Sequence, residues 1–158
     1  PKKVTGTYGT AILSRYPISN ALSIFSFSDE DEIGTVHVQI TVGDTIFDVF
    51  NSHPDGSDEA KLIHSQTLMS HIGFLSNVIS MGDFNSRENS TYYNASTAVL
   101  VDSFLTLYPD RLDENGVNRT RRIDHIFVSP GFIIKEAHYI SSPESQTDHP
   151  VYWIIIEF

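Results

Sequence analysis

Apolar and polar positions along the chain fall into short alternating runs, with one longer amphipathic stretch in the middle. Residues 10–14 read as a strand closed by Arg15-Tyr16-Pro17, and residues 21–27, with Leu22, Ile24, Phe25 and Phe27, as a second. Residues 36–42 alternate through Val36, Val38, Ile40 and Val42, and residues 45–51 follow after Gly43-Asp44. A two-residue connection with Gly first is that of a type II′ hairpin. A helix is predicted over residues 58–75, with Asp55 or Ser57 as N-cap and acids in its first turn. Its broad apolar face carries Leu62, Leu68, Met69, Ile72 and Leu75, and His64 and His71 are expected at the surface. Residues 77–81 form a further strand, residues 90–100 a short helix, and Asp102-Ser103-Phe104 another helical turn. Residues 108–120 are a loop rich in Pro, Asp, Asn and Gly, and 123–129, 132–140 and 151–158 are three more strands. Residues 1–9 read as a loop or linker end, and the charge run at residues 29–32 as a solvated loop tip. The order, mainly ββββαβαβββ, predicts a mixed α/β layered domain.

Length changes this picture little. At 158 residues without repeats, the chain suits one domain with a sizeable core. No cysteine is present, which excludes a disulfide framework and a thiolate metal site. No run reaches the roughly 20 apolar residues of a membrane span, and no signal-peptide pattern opens the chain. The net charge of −10 repels phosphate backbones unless a bound cation inverts it locally. The chain begins with Pro1 and enters a strand pattern almost at once, so it is expected to be a piece of something longer.

Candidate chemistry collects at strand ends. After the apolar run Val78–Met81 the pattern breaks at Gly82, and Asp83 and Asn85 follow. At a strand end, residues two apart point the same way, so these two side chains are expected side by side. A plain β-turn is the competing reading, since Gly, Asp, Asn and Ser all form turns. Asn51-Ser52-His53 closes the hairpin's second strand, Asp124 should face the same way as Ile126, and Thr147-Asp148-His149-Pro150 precedes the last strand. Two histidines and three aspartates at one rim suit metal-assisted hydrolysis. Carboxylates hold a hard cation, and a histidine of near-neutral pKa moves protons.

Five segments in order, GTAILSRYPI, FNSH, MGDFNS, RRIDHIFVS and TDHPV, resemble the endonuclease/exonuclease/phosphatase superfamily over nearly the whole chain. The resemblance implies a four-layer αββα sandwich of the deoxyribonuclease I-like type. It also implies magnesium, or manganese, as cofactor. By the resemblance, His149 activates or orients the attacking water, and Asp148 supports the metal or that histidine. Asp83 aligns the nucleophile or binds metal, and Asn85 touches the scissile phosphate. His53 is general acid or charge stabiliser, Asp124 pairs with a histidine or metal, and Asn51 stands at its strand end. Asp83 and Asp148 are the implied metal ligands, and Asn85, Asn51 and Arg15 the implied substrate contacts.

Two departures qualify this. FNSHPD carries Pro54 where NTHL or NTHLD is commoner. The family's leading motifs, a strand ending in Asn and one followed by Gln-Glu, have no counterpart here, so its N-terminal strands and helix, with the main magnesium ligand, are expected to be missing. For substrate, Arg15, Arg87, Arg119, Arg121, Arg122 and the pair Tyr92-Tyr93 read as surface charge and core packing, not a nucleic-acid face. A phosphodiesterase acting on a small molecule or lipid headgroup therefore ranks first and a DNA or RNA nuclease second. Some similar domains follow membrane-spanning segments, a feature expected upstream of this chain. A non-catalytic interaction domain is the third reading.

Overall fold

A computed structural model of the chain describes residues 9–27, 32–141 and 147–158. The predicted linker at residues 1–9, apart from Gly9, lies outside the described residues. So does the predicted loop tip at residues 29–32, apart from Glu32. The described elements are β1 (Ile18–Phe27), β2 (Glu32–Val42), β3 (Thr45–Ser52), α1 (Asp58–Ile72), β4 (Val78–Asp83), α2 (Thr91–Thr97), β5 (Val101–Asp102), α3 (Ser103–Leu107), β6 (Asp124–Val128), β7 (Ile133–Ile140) and β8 (Val151–Glu157).

Six strands form one sheet in the order β1-β2-β3-β4-β6-β5, and β7 and β8 pair as a second. The β2–β3 hairpin turns at Gly43-Asp44, with Val42 opposite Thr45. Gly43 has φ +60°, as the first position of a type II′ turn requires. β3 and β4 run parallel, joined through α1 as a parallel pair needs a crossover, and β6 returns antiparallel to β4.

The large sheet buries both faces. Phe50, Val78 and Phe127 meet Leu68 and Ile72 of α1 and Tyr92 and Tyr93 of α2 on one side. On the other, Val38, Val49 and Ile79 pack with Phe132. Beside them Ile79 and Ile126 meet Ile134, Ala137, Tyr152 and Ile154 of the second sheet. Helices, large sheet and small sheet are thus three consecutive layers of an α/β sandwich like that of the deoxyribonuclease I-like fold. The outer face of β7–β8, with Ile133, Ile140, Val151 and Ile155 exposed, carries no helix among the described residues.

Several local expectations are corrected. Residues 10–14 form no ladder. Side-chain bonds hold them instead, Thr10 Oγ1 donating to the Asn51 carbonyl (3.1 Å) and Asn51 Nδ2 to the Ala11 carbonyl (2.8 Å). α1 is capped by Ser57 and ends at Ile72, with Gly73 as C-cap, not at Leu75. Leu62 is 37% exposed, whereas His64, expected at the surface, is buried and only His71 is exposed. His64 Nε2 meets Thr35 Oγ1 at 2.8 Å and its Nδ1 meets the Tyr92 hydroxyl at 3.0 Å. Burial lowers its pKa to about 4, so it is a neutral crosslink between α1, β2 and α2. α2 is shorter than predicted because Ser90 caps it and its last turn closes at Ala98.

Arg122 is the largest correction to the surface-charge reading. Its side chain is 2% exposed and makes two bonds to Asp102, the N-cap of α3, and one to Glu88. Tyr92 and Tyr93 lie in the core, as the packing reading requires.

Candidate active site

Strand register brings the candidate residues to one sheet end. Asn51 is opposite Met81 in the parallel pair, and Asp83 is opposite Asp124 in the antiparallel one. The two-residue period points Met81 and Ile126 toward the β7–β8 layer, and Asp83 and Asp124 share their parity. Phe84, His125 and Phe127 pack on the helix side instead. Asp124 and Ile126 therefore face the same way, as their spacing predicts.

Gly82 is what lets the strands meet here. Its φ is +145°, and a Cβ on it would lie 1.9 Å from the Ser52 carbonyl oxygen and 3.1 Å from Asn51 Oδ1. An alanine there cannot be housed unless β3 moves away from β4. Asp83 ends the strand, Phe84 drops into the core, and Asn85 adopts the left-handed conformation with φ 45°. Its amide donates to Asp83 Oδ1 (2.8 Å), an Asx-type turn. Both early readings of this stretch hold together: the chain turns here, and the turn presents the two side chains jointly.

They converge on His53. Its Nε2 lies 3.2 Å from Asn85 Nδ2 and 3.4 Å from Asp83 Oδ2. Asn85 Nδ2 also donates to the Pro54 carbonyl at 3.2 Å, which sets the amide with its nitrogen toward His53. The altered FNSHPD loop thus supplies the acceptor that orients Asn85. His149 approaches the same oxygen, its Nε2 3.6 Å from Asp83 Oδ2. His149 Nδ1 meets Asp124 at 2.9 Å and 3.1 Å, a contact that places the ring proton on Nδ1 and leaves Nε2 with a free lone pair. That contact raises the pKa of His149 above its ordinary value, against a smaller opposing effect of burial. Asp124 is raised as well, because burial outweighs its bond to His149.

One oxygen or nitrogen from each of Asp83, Asp124 and His149 can be chosen so that all lie within 4.8 Å of one another. Two carboxylates with one imidazole fit a divalent cation, the carboxylates being the donors a hard ion prefers. Asp148, expected as a metal ligand, is exposed and outside this group; it lies with Asp124 and His149 along a cavity of about 360 Å³. Asn51 lines a cavity of about 210 Å³ with Gly82, Asp83 and Asp124. Arg15 is exposed on the bend before β1 and lines none of the cavities at this cluster.

Pattern reading missed the supports. Lys61 Nζ on α1 donates to the Asn85 carbonyl at 3.1 Å, and His125 Nε2 meets the Ser86 carbonyl at 2.9 Å. Arg122 Nη1 lies 3.1 Å from His125 Nδ1, and its Nη2 donates to Glu88 at 3.0 Å, which ties the loop after Asp83 to β6. The signal was present in RRIDH, where the neighbours Asp124 and His125 differ in parity. Only the packed sheet says which of them points inward.

A family model described as "Endonuclease/Exonuclease/phosphatase family" matches residues 3–149. No curated protein matches. Among solved structures, an endonuclease/exonuclease/phosphatase from Bacteroides vulgatus superposes with TM-score 0.72 at 17% identity, over 90% of this chain and 66% of that one. A mannosyl-6-phosphatase of Bacteroides thetaiotaomicron gives 0.65 at 20% identity, over 90% of this chain and 67% of that one. D. rerio TDP2 complexed with single strand DNA product gives 0.72 at 15% identity, over 91% and 69%. The chain thus spans about two thirds of the length of these structures, and the likeness is one of fold.

Proposed function

The chain belongs to the endonuclease/exonuclease/phosphatase family, and on that premise we propose that it hydrolyses phosphoesters, as a divalent-metal-dependent phosphodiesterase whose water is activated by His149 and Asp124. The observation that carries this reading is Asp83 Oδ2 within reach of two histidines, 3.4 Å from His53 and 3.6 Å from His149, with Asp124 on the other ring nitrogen of the second. A water between Asp83 Oδ2 and His149 Nε2 donates to both and aims a lone pair at phosphorus. His149 Nε2 takes its proton, and Asp124 stabilises the imidazolium that forms. Asn85 and His53, 3.2 Å apart, complete the proposal: Asn85 holds a phosphoryl oxygen and His53 steadies the departing oxygen. Such in-line displacement depends on positioning and charge neutralisation more than on covalent help.

Asp83 and Asp124 are the carboxylates that would hold Mg²⁺ or Mn²⁺, with Asp148 at the rim; a bound ion would neutralise charge on the phosphoryl oxygens. The test is a panel of bis-p-nitrophenyl phosphate, sphingomyelin, RNA and plasmid DNA, each with Mg²⁺ and with EDTA. Turnover of the small or lipid diester that EDTA abolishes is expected. Equal rates in EDTA would refute the metal, cleavage of DNA or RNA alone would make the protein a nuclease, and no hydrolysis of any ester would remove the enzymatic reading.

The proton on His149 gives a second check. The protonated imidazole cannot accept, so kcat/KM should fall as pH drops through the raised pKa of His149. In Asp124→Asn the contact that raises it is weakened. The acid limb of the pH–rate profile should therefore move to lower pH, with a lower plateau. A limb left in place would show that another group titrates.

A further inference from the structure

Two successive carbonyls of the turn after Asp83 are held by side chains of two other elements. Lys61 Nζ of α1 donates to the Asn85 carbonyl at 3.1 Å, and His125 Nε2 of β6 meets the Ser86 carbonyl at 2.9 Å. A carbonyl only accepts, so Nε2 carries the proton of His125. The other ring nitrogen agrees. Arg122 Nη1, which only donates, lies 3.1 Å from His125 Nδ1, whereas Asp102 Oδ2 at 3.9 Å is beyond hydrogen-bond reach. Nδ1 is thus the acceptor. Arg122 is itself fixed on Asp102 at 2.6 Å, so the tautomer of a buried histidine is set from behind. The ring is also wedged among Phe84, Tyr93 and Phe127, with centroids 6.1, 5.3 and 5.2 Å away.

What these donors hold is a left-handed residue. Asn85 has φ 45°, its amide on Asp83 Oδ1 and its Nδ2 3.2 Å from His53 Nε2. Relaxation of the turn toward negative φ, where L residues ordinarily lie, would swing the Asn85 Cβ and take Nδ2 from His53. The His125 side chain is 1% exposed, so it reaches a substrate only through what it holds. Resting on the hydrolase reading above, in which Asn85 holds a phosphoryl oxygen, we infer that Lys61 and His125 are positioning residues. They pin the turn in its left-handed form and act on the reaction through Asn85. Arg122 serves the same end by fixing the His125 tautomer.

Hydrolysis of bis-p-nitrophenyl phosphate by the intact protein with Mg²⁺ tests this with two matched pairs of variants. His125→Gln keeps an amide donor where Nε2 stands, and His125→Met has the same length without it. Lys61→Arg and Lys61→Met form the second pair, at a half-buried helix position where methionine suits a helix as well as lysine does. Each methionine should lower kcat about 30-fold and change KM less than about threefold, because a displaced donor costs up to about 10²-fold. Glutamine and arginine should restore kcat to within about fivefold of wild type. Asn85→Gly removes the amide yet accepts a positive φ, and in that background either methionine should change kcat less than about twofold. Hydrogen exchange of the Asn85 backbone amide should quicken at least about tenfold in both methionine variants and not in the other two. A loss of kcat that persists beside Asn85→Gly overturns the proposal, as does unchanged kcat and exchange in a folded methionine variant. If thermal unfolding shows that His125→Met does not fold, the Lys61 pair decides alone. Turnover of no panel ester by wild type refutes the hydrolase reading, and the exchange rates alone then decide whether Lys61 and His125 pin the turn.

Discussion

Replacing His149 with alanine is expected to lower kcat/KM for phosphoester hydrolysis by about 10³-fold, within the range of roughly 10²–10⁴ for loss of a positioned general base. Its Nε2 faces Asp83 Oδ2 at 3.6 Å with Nδ1 on Asp124, so its loss removes the imidazole that takes the proton of the water. The side chain is 37% exposed, and its ion pairs are partly solvated. Removing it should change stability by no more than about 1 kcal/mol. Loss of rate with an unmoved melting temperature separates a chemical role from a structural one. Added imidazole should restore part of the rate, because the alanine leaves room beside Asp83 and Asp124. Full activity in His149→Ala would remove this residue from the mechanism.

The opposite signature is expected behind the site. Arg122→Met should destabilise the fold by about 3–5 kcal/mol, because removing one partner of a buried ion pair strands the other. Asp102 loses its arginine here, whereas Glu88 keeps Arg111, Nε to Oε2 at 2.9 Å. Asp102 is 4% and Glu88 8% exposed, at 2.6 Å and 3.0 Å from Arg122. For a domain of this size the melting temperature should fall by about 6–20 °C. The pH dependence carries the sign. Burial pushes the Asp102 carboxyl up, but the paired Arg122 outweighs it and holds the group below its ordinary value. Its stabilisation is therefore present above the unfolded pKa and lost as pH falls through the folded one. Without Arg122 burial prevails, Asp102 takes up a proton readily, and the gap between variant and wild type should narrow toward acid pH. A variant that melts with wild type at neutral pH would show that methionine packs as well as the ion pair. His125, which burial and the Arg122 charge lower to about 4, is already neutral and adds no charge to this balance.

Alternation of residue types determined much of this. The hairpin at Gly43-Asp44 was legible because only a few residue pairs make that turn, and the polar ends of β3, β4, β6 and β8 marked the candidate residues. His53, Asp83, Asn85, Asp124 and His149 were all named from such termini, and the structure gathers them within a few ångströms. Helix ends were legible only to within a turn, since Ser57, Ser90 and Asp102 compete with neighbouring polar residues for the same capping role.

Two things were not legible. Residues 10–14 have the composition of a strand, but a ladder needs a partner at the right distance, and Thr10 and Asn51 side chains hold the segment instead. Burial of single polar residues was equally hidden. His64, Glu88, Arg122 and His125 look like surface chemistry in the sequence, because nothing local says which polar group will find partners across the core. Pairing energies are long-range, so tertiary contact decided them. It also decided that Asp124, rather than Asp148, stands with Asp83 and His149. Asp124 lies opposite Asp83 in a ladder, which fixes its distance, whereas Asp148 precedes β8 with no such register. The sequence by itself determined which residue types reach the sheet end; only the packing of β3, β4 and β6 around Gly82 determined which of them meet.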